Sequence, residues 1–192
     1  TAKKAATKKT AAPAANLQEQ FKRLLDLGVR LNELRDVHAL PGFITAELVE
    51  LTGAERAALV LLGADGARRV ADSNGFADAD PRAGLLAPLQ SYLDEAAAAR
   101  LPRLRQDERS RLIAPLITHS QVIGFLYADT RPLFGAFDAA DLDLLWAFAN
   151  QAATALENSQ LIQGLEQRVA ERTAALEQRA AELAVINSVQ DG

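Results

Sequence analysis

The sequence has no cysteine. That absence excludes disulfides, thiolate metal sites, thiol catalysis and chromophores held by a thioether. Methionine is missing as well, even at the first position, so the chain is expected to be a piece of a longer protein or a processed one. No apolar run approaches the ~20 residues that cross a bilayer, and no hydrophobic signal segment is visible. A soluble, cytoplasmic chain without a membrane partner is expected. A net charge of −4 gives no reason to expect nucleic acid. Phosphate loops and metal-binding clusters are absent from the motifs. His38 lies between two predicted helices and His119 at a predicted hairpin tip, and neither has a nucleophile at recognisable spacing. No catalytic residue, no metal and no enzyme activity are therefore expected.

What is present suffices for one domain and extra segments: 192 residues, 49% of them hydrophobic. Residues 1–16, "TAKKAATKKTAAPAAN", are a Lys/Ala-rich tail that buries little and is expected to be disordered. It reads as a solvated tail, with a weak nucleic-acid or anionic-surface tether as the alternative. Apolar spacing predicts a helix over 17–35 and a second from about Pro41 to Leu51, with Gly53 after its end.

The period then changes. "RAALVLL" (56–62) and "ARRVADS" (67–73) read as strands joined by an Asp65-Gly66 turn with both positions at positive φ. Residues 74–84 read as a loop, 85–100 as a helix and 102–107 as a short strand. "RLIAPLITHSQVIGFLYADT" (111–130) is apolar on both faces around a polar "THSQ" turn, which predicts a hairpin at the centre of a sheet covered on both sides. Asp138 is the expected N-cap of a last helix that nothing stops before about Ile186. Such a helix is ~75 Å long at 1.5 Å per residue. Its first half fits on the sheet, and its second half must project.

The projecting part, "LEQRVAERTAALEQRAAEL" (165–183), carries one thin apolar stripe. Ile162, Val169, Leu176 and Leu183 recur every seven residues, and two seams contain them. One adds Leu165, Arg172, Arg179 and Ile186. The other adds Glu166, Thr173, Ala180 and Asn187. Unpaired arginines are costly in a core unless they snorkel, so the second seam is favoured in the middle and the first at the ends. The expected dimer interface is Ile162, Leu165, Val169, Thr173, Leu176, Ala180 and Leu183. A single helix lying on its own domain is the alternative.

The order of elements over residues 18–160 resembles the GAF domain family of signalling modules. The resemblance is sharpest in "LIAPLITHSQVIGFLYADTRPLFGAFDAADLDLLWAFANQAATALENSQL". Residues 165–183, with the triplet Glu171-Arg172-Thr173, resemble a signalling helix. "ELAVINSVQDG" resembles the lead-in to a further domain. The resemblance implies an α/β (α+β) fold: a central antiparallel sheet with helices on both faces and a long C-terminal coiled-coil helix. It divides the chain into a sensor domain over 17–160, a connector over 161–188 and a lead-in over 189–192. It implies a regulatory sensor that binds an unknown small molecule or partner. Such a sensor works as a parallel homodimer and feeds a downstream output domain, a cyclase or histidine kinase.

The resemblance also locates a pocket, between the sheet and residues 74–105. Its polar candidates are Ser73, Asn74, Tyr92, Arg105, Arg111, Tyr127 and Asp129, while Ala114, Leu116 and Gly124 offer either its apolar lining or a filled core with no cavity. Arg105 and Arg111 would suit an anion. The cofactor is unknown. Covalent bilin and sulfoxide reduction need cysteine, and haem needs a histidine in the pocket. The cyclic-nucleotide motif is half missing: Asp129-Thr130 stands for Asn-Lys, and Leu142 for Glu after Asp141, although Phe137 and Asp141 fit. A ligand-free dimerisation or spacer module remains the alternative function.

Overall fold

The computed structural model describes residues 13–34, 36–76, 81–119 and 121–190. The elements run α1 (Pro13–Glu33), α2 (Leu40–Thr52), β1 (Arg56–Leu62), β2 (Arg68–Asn74), α3 (Pro81–Ala99), β3 (Arg103–Gln106), β4 (Ser110–Thr118), β5 (Gln121–Thr130) and α4 (Ala139–Gln190). The five strands form one antiparallel sheet in the order β2-β1-β5-β4-β3. The β4–β5 hairpin thus supplies the central strand, as its apolar sequence on both faces predicts.

The alternation of side chains divides the core in two. On one face Ala57, Leu59, Leu112, Ala114, Leu116, Leu126 and Ala128 meet α1, α2 and α4. On the other, Ala58, Val60, Val70, Ile113, Phe125 and Tyr127 meet Leu85, Leu89, Leu93 and Ala96 of α3. Helix α4 turns Ala149, Ala152 and Ala153 inward beside Phe148 and Leu156. Those small side chains let a helix lie close to a sheet.

Several local expectations change. Helix α1 starts at Pro13, so the last four residues of the segment expected to be disordered are helical; the rest of that segment lies outside the described residues. Helix α3 starts at Pro81, inside the expected loop. In both cases a proline opens the helix, where its missing N–H costs nothing. The β1–β2 turn also differs from expectation. Only Gly66, at φ 76°, is left-handed, and its N–H donates to Gly63 O (2.9 Å), while Gly63 N–H donates to Ala67 O (2.8 Å). This is a type I turn closed by a glycine bulge, which spares Asp65 a positive φ. The side chain of Asp65 accepts from Ala67 N–H instead (3.0 Å).

Helix α4 begins as expected. Asp138 Oδ1 accepts from the N–H groups of Ala140 (2.9 Å) and Asp141 (3.1 Å), and Asp141 Oδ2 accepts from Asp138 N–H (2.9 Å). The pair is a reciprocal capping box, with buried Phe137 just ahead of it and Leu142 packed on the same core. With 52 residues the helix is ~78 Å long. Among the described residues no helix is long and apolar enough to cross a membrane.

Candidate functional site

Strand register brings most of the polar candidates to one end of the α3 face. Arg56 lies opposite Asp129 across β1–β5, Asp129 opposite Arg111 across β5–β4, and Arg111 opposite Arg105 across β4–β3. Tyr127 lies one pleat further in, opposite Ala58 and Ile113, and Ser73 lies opposite Ala58 on β2. Asn74 does not join them: it pairs with Ala57, on the other face, and is exposed.

Asp129 is the hub of this end. Its carboxylate is fully buried and accepts from Arg56 Nε (2.9 Å), Arg109 Nε (2.7 Å) and the Tyr127 hydroxyl. A buried carboxylate requires such company, because an unpaired one is strongly penalised. Arg109 continues the chain to Glu55 (2.7 Å), which also accepts from Arg131 Nε (2.9 Å) and Arg131 N–H (2.8 Å). The Arg131 side-chain hydrogen bond is the main reason that Glu55 titrates at about 2 instead of the usual 4.5, and the charge of Arg109 adds to it. Burial raises the Tyr127 hydroxyl's pKa, and its bond to Asp129 raises it further. The network ties the starts of β1 and β4 to the end of β5. Arg56 also covers the Phe76 ring at 4.8 Å.

A second cluster lies beside it. Tyr92 of α3 donates to Asp107 (3.2 Å), and the guanidinium groups of Arg111 and Arg105 stand 5.6 and 6.0 Å from its ring. Arg111 also pairs with Asp107, and Arg105 with Glu95 of α3. The two arginines expected to greet an anion are thus already engaged by carboxylates of their own chain.

Of the two readings of the apolar residues, the structure bears out the filled core for Ala114 and Leu116, both fully buried. Ala114 and Leu116 face α4 rather than α3, and Gly124 lies opposite Leu116 and Leu61. A strand exposes alternate residues to opposite faces, so membership of a strand does not choose the face. On the α3 side, Leu93, Ile113, Phe125 and Tyr127 close on one another at 2% exposure or less.

Neither histidine sits at this end. His38 is exposed beside α2. His119, left-handed at φ 42°, stands at the hairpin tip with Nδ1 2.8 Å from Glu157 on α4.

The second candidate surface is α4 beyond the sheet. From Leu161 to Ala180 every residue except Gly164 is exposed. Ile162, Leu165, Val169 and Leu176 are 47, 57, 64 and 65% accessible. Thr173 and Ala180 are exposed on the same helix, and Leu183 lies further along it.

Comparison with known proteins fits this geometry. The GAF domain profile matches residues 43–158, more than half of the chain. The chain belongs to the GAF domain family. GAF domains are regulatory sensor modules of signalling proteins.

Solved relatives of this GAF domain share its fold. The second GAF domain of DevS from Mycobacterium smegmatis is 25% identical, with 68% of this chain and 99% of that one covered at a TM-score of 0.57. The GAF domain of a phosphoenolpyruvate-protein phosphotransferase from Coxiella burnetii is 12% identical, with 80% and 99% covered at 0.62. A methyl-accepting chemotaxis protein is 19% identical, with 70% and 97% covered at 0.60. No curated protein matches significantly.

In this GAF domain the arginine partners of Asp129 escape sequence reading. Arg56 and Arg109 stand 73 and 20 residues away. The ladder sets Arg56 opposite Asp129, and Arg109 reaches it from just before β4.

Proposed function

We propose that this GAF domain is the cytoplasmic regulatory sensor of a signal-transduction protein, without catalytic activity of its own. It works as a parallel homodimer joined along α4, and passes the state of the sensor to an output domain, a cyclase or histidine kinase. The carrying observation is the row Ile162, Leu165, Val169 and Leu176, apolar and 47 to 65% accessible on a helix that has left its own sheet. Leaving such a row in water forgoes the main favourable term of helix association. A helix of that length, with little to pack on from its own chain, suits a connector.

A ligand-free spacer is the second reading, and the α3 face favours it. The space that would hold a small molecule contains Leu93, Ile113, Phe125 and Tyr127, and the neighbouring arginines are paired internally.

A native mass spectrum of the purified chain, beside a denatured one, separates these readings. A dimer with an extra small mass lost on denaturation supports the sensor and gives its ligand class. A dimer without added mass supports the spacer. A monomer at micromolar concentration would sink the α4 dimer.

A further inference from the structure

We propose that the leading part of α3, residues 81–87, is a flap hinged at Pro88. It opens while the rest of the domain stays folded, and it uncovers the rim of the α3-face core. Its use as an entrance for a small molecule rests on the sensor reading. The flap itself does not, and the two are tested by different measurements.

The hinge follows from local chemistry. Pro88 lies inside α3. It has no N–H to donate to Gly84 O, one turn back, and its ring pushes against that carbonyl. Proline also disfavours the helical conformation of the residue before it, here Ala87. The residue that loses its partner is glycine, the poorest helix former after proline. No atom stands within 4 Å of where a Cβ on Gly84 would be. Gly84 and Pro88 are both exposed. Water therefore reaches the orphaned carbonyl whether the flap is closed or open, and opening leaves no buried polar group unmet.

The anchors of α3 are distributed unevenly about this hinge. Among the described residues its polar ties to the rest of the domain lie beyond Pro88. They are Tyr92 to Asp107, Asp94 to Arg68 and Glu95 to Arg105. The same stretch buries Leu89, Leu93 and Ala96 at 3, 0 and 0% exposure. Ahead of the hinge Leu85 is buried and Leu86 half-buried, while Gly84 and Ala87 face solvent.

Leu85 also sits where this core is thinnest. At 8% exposure it and Val70 are the most accessible members of their cluster, whose other members lie at 3% or less. Val70 belongs to β2, an edge strand of the sheet. About two turns of helix are not stable by themselves in water. Residues 81–87 therefore depend on the seat of Leu85, with help from Leu86, and belong to the part of the fold that opens most readily.

This arrangement gives a filled face a way to open. In the closed form Leu93, Ile113, Phe125 and Tyr127 leave no room on the α3 side. Lifting Leu85 at Pro88 exposes the rim beside Val70. The ties of Tyr92, Asp94 and Glu95 meanwhile hold the remainder of α3 on the sheet.

Amide hydrogen exchange, resolved by residue with NMR on the full 192-residue protein, tests the flap. The amides of Leu85, Leu86 and Ala87 should exchange about 100-fold faster than those of residues 93–96. Low urea should leave their rates unchanged, because a local opening exposes little surface. Pro88→Ala restores the missing N–H and removes the ring, and should slow the same three amides about tenfold. Equal protection on the two sides of Pro88 overturns the flap. So does a urea dependence as steep as that of residues 93–96, since α3 would then open only with the whole domain. Exchange unaltered in Pro88→Ala overturns the hinge. The comparison within the unsubstituted chain needs no variant to fold. None of these outcomes decides the sensor reading, which stands or falls on the native mass spectrum.

Discussion

Arg56 and Asp129 face each other across the β1–β5 ladder, with Arg56 Nε 2.9 Å from one carboxylate oxygen and 3.1 Å from the other. The acid is fully buried and the base is one-third accessible. This asymmetry sets the role of the pair. The carboxylate cannot fall back on water, whereas Arg56 reaches it in part and shares Asp129 with Arg109 and Tyr127.

Removing the hub charge should therefore be costly. Asp129→Asn leaves Arg56 and Arg109 without their shared anion and is expected to lower stability by about 3 kcal/mol. Urea unfolding measures it. A loss below about 1 kcal/mol would place the pair with ordinary surface bridges.

The acid limb of the stability profile should depend on Glu55. Its folded pKa is held down at about 2, against 4.5 in an unfolded chain, by the Arg131 hydrogen bond. A depressed carboxylate contributes fully above its unfolded pKa, and its contribution fades as pH falls through the folded value. The advantage of the native chain over Glu55→Gln should be constant above about pH 5, shrink below 4.5 and be gone near 2. Urea titrations across that range test it. A difference that grows as pH falls would contradict the assignment.

Two glycines should respond oppositely to alanine. A Cβ at Gly124 would lie 2.4 Å from Val60 O, so Gly124→Ala must push β1 from β5 and should cost about 2 kcal/mol. Gly164 has open space around it within α4. There alanine relieves the helical penalty of glycine, and Gly164→Ala should gain up to about 1 kcal/mol of helix stability. Thermal melts followed by circular dichroism compare the two.

The start of α4 rests on Asp138, whose carboxylate accepts from two backbone N–H groups. Asp138→Ala should cost about 1 kcal/mol. Asp138→Ser, which can still accept from Asp141 N–H, should recover most of it. Equal losses for both variants would mean that the cap contributes nothing specific.

Local chemistry was legible in the residues themselves. The strand at Arg56–Leu62 and the apolar β4–β5 hairpin follow from short continuous apolar runs and β-branched content. Asp138 as N-cap and Gly53 as a left-handed helix stop, at φ 67°, follow from what single side chains allow. The turn at Asp65-Gly66 was half legible. Glycine marked the place, but the choice between two hairpin geometries depends on how the strands twist together.

The sequence by itself therefore determined which segments become helices and strands, that α4 outruns its domain, and that thiol chemistry is excluded. These properties reside in nearest neighbours and helical period. The tertiary structure decided the rest. It set Arg56 and Arg109 against Asp129, and turned Ala114 and Leu116 towards α4. Each of these depends on register or on the docking of distant segments, where shifting a strand by one residue would reverse every face at no change in sequence.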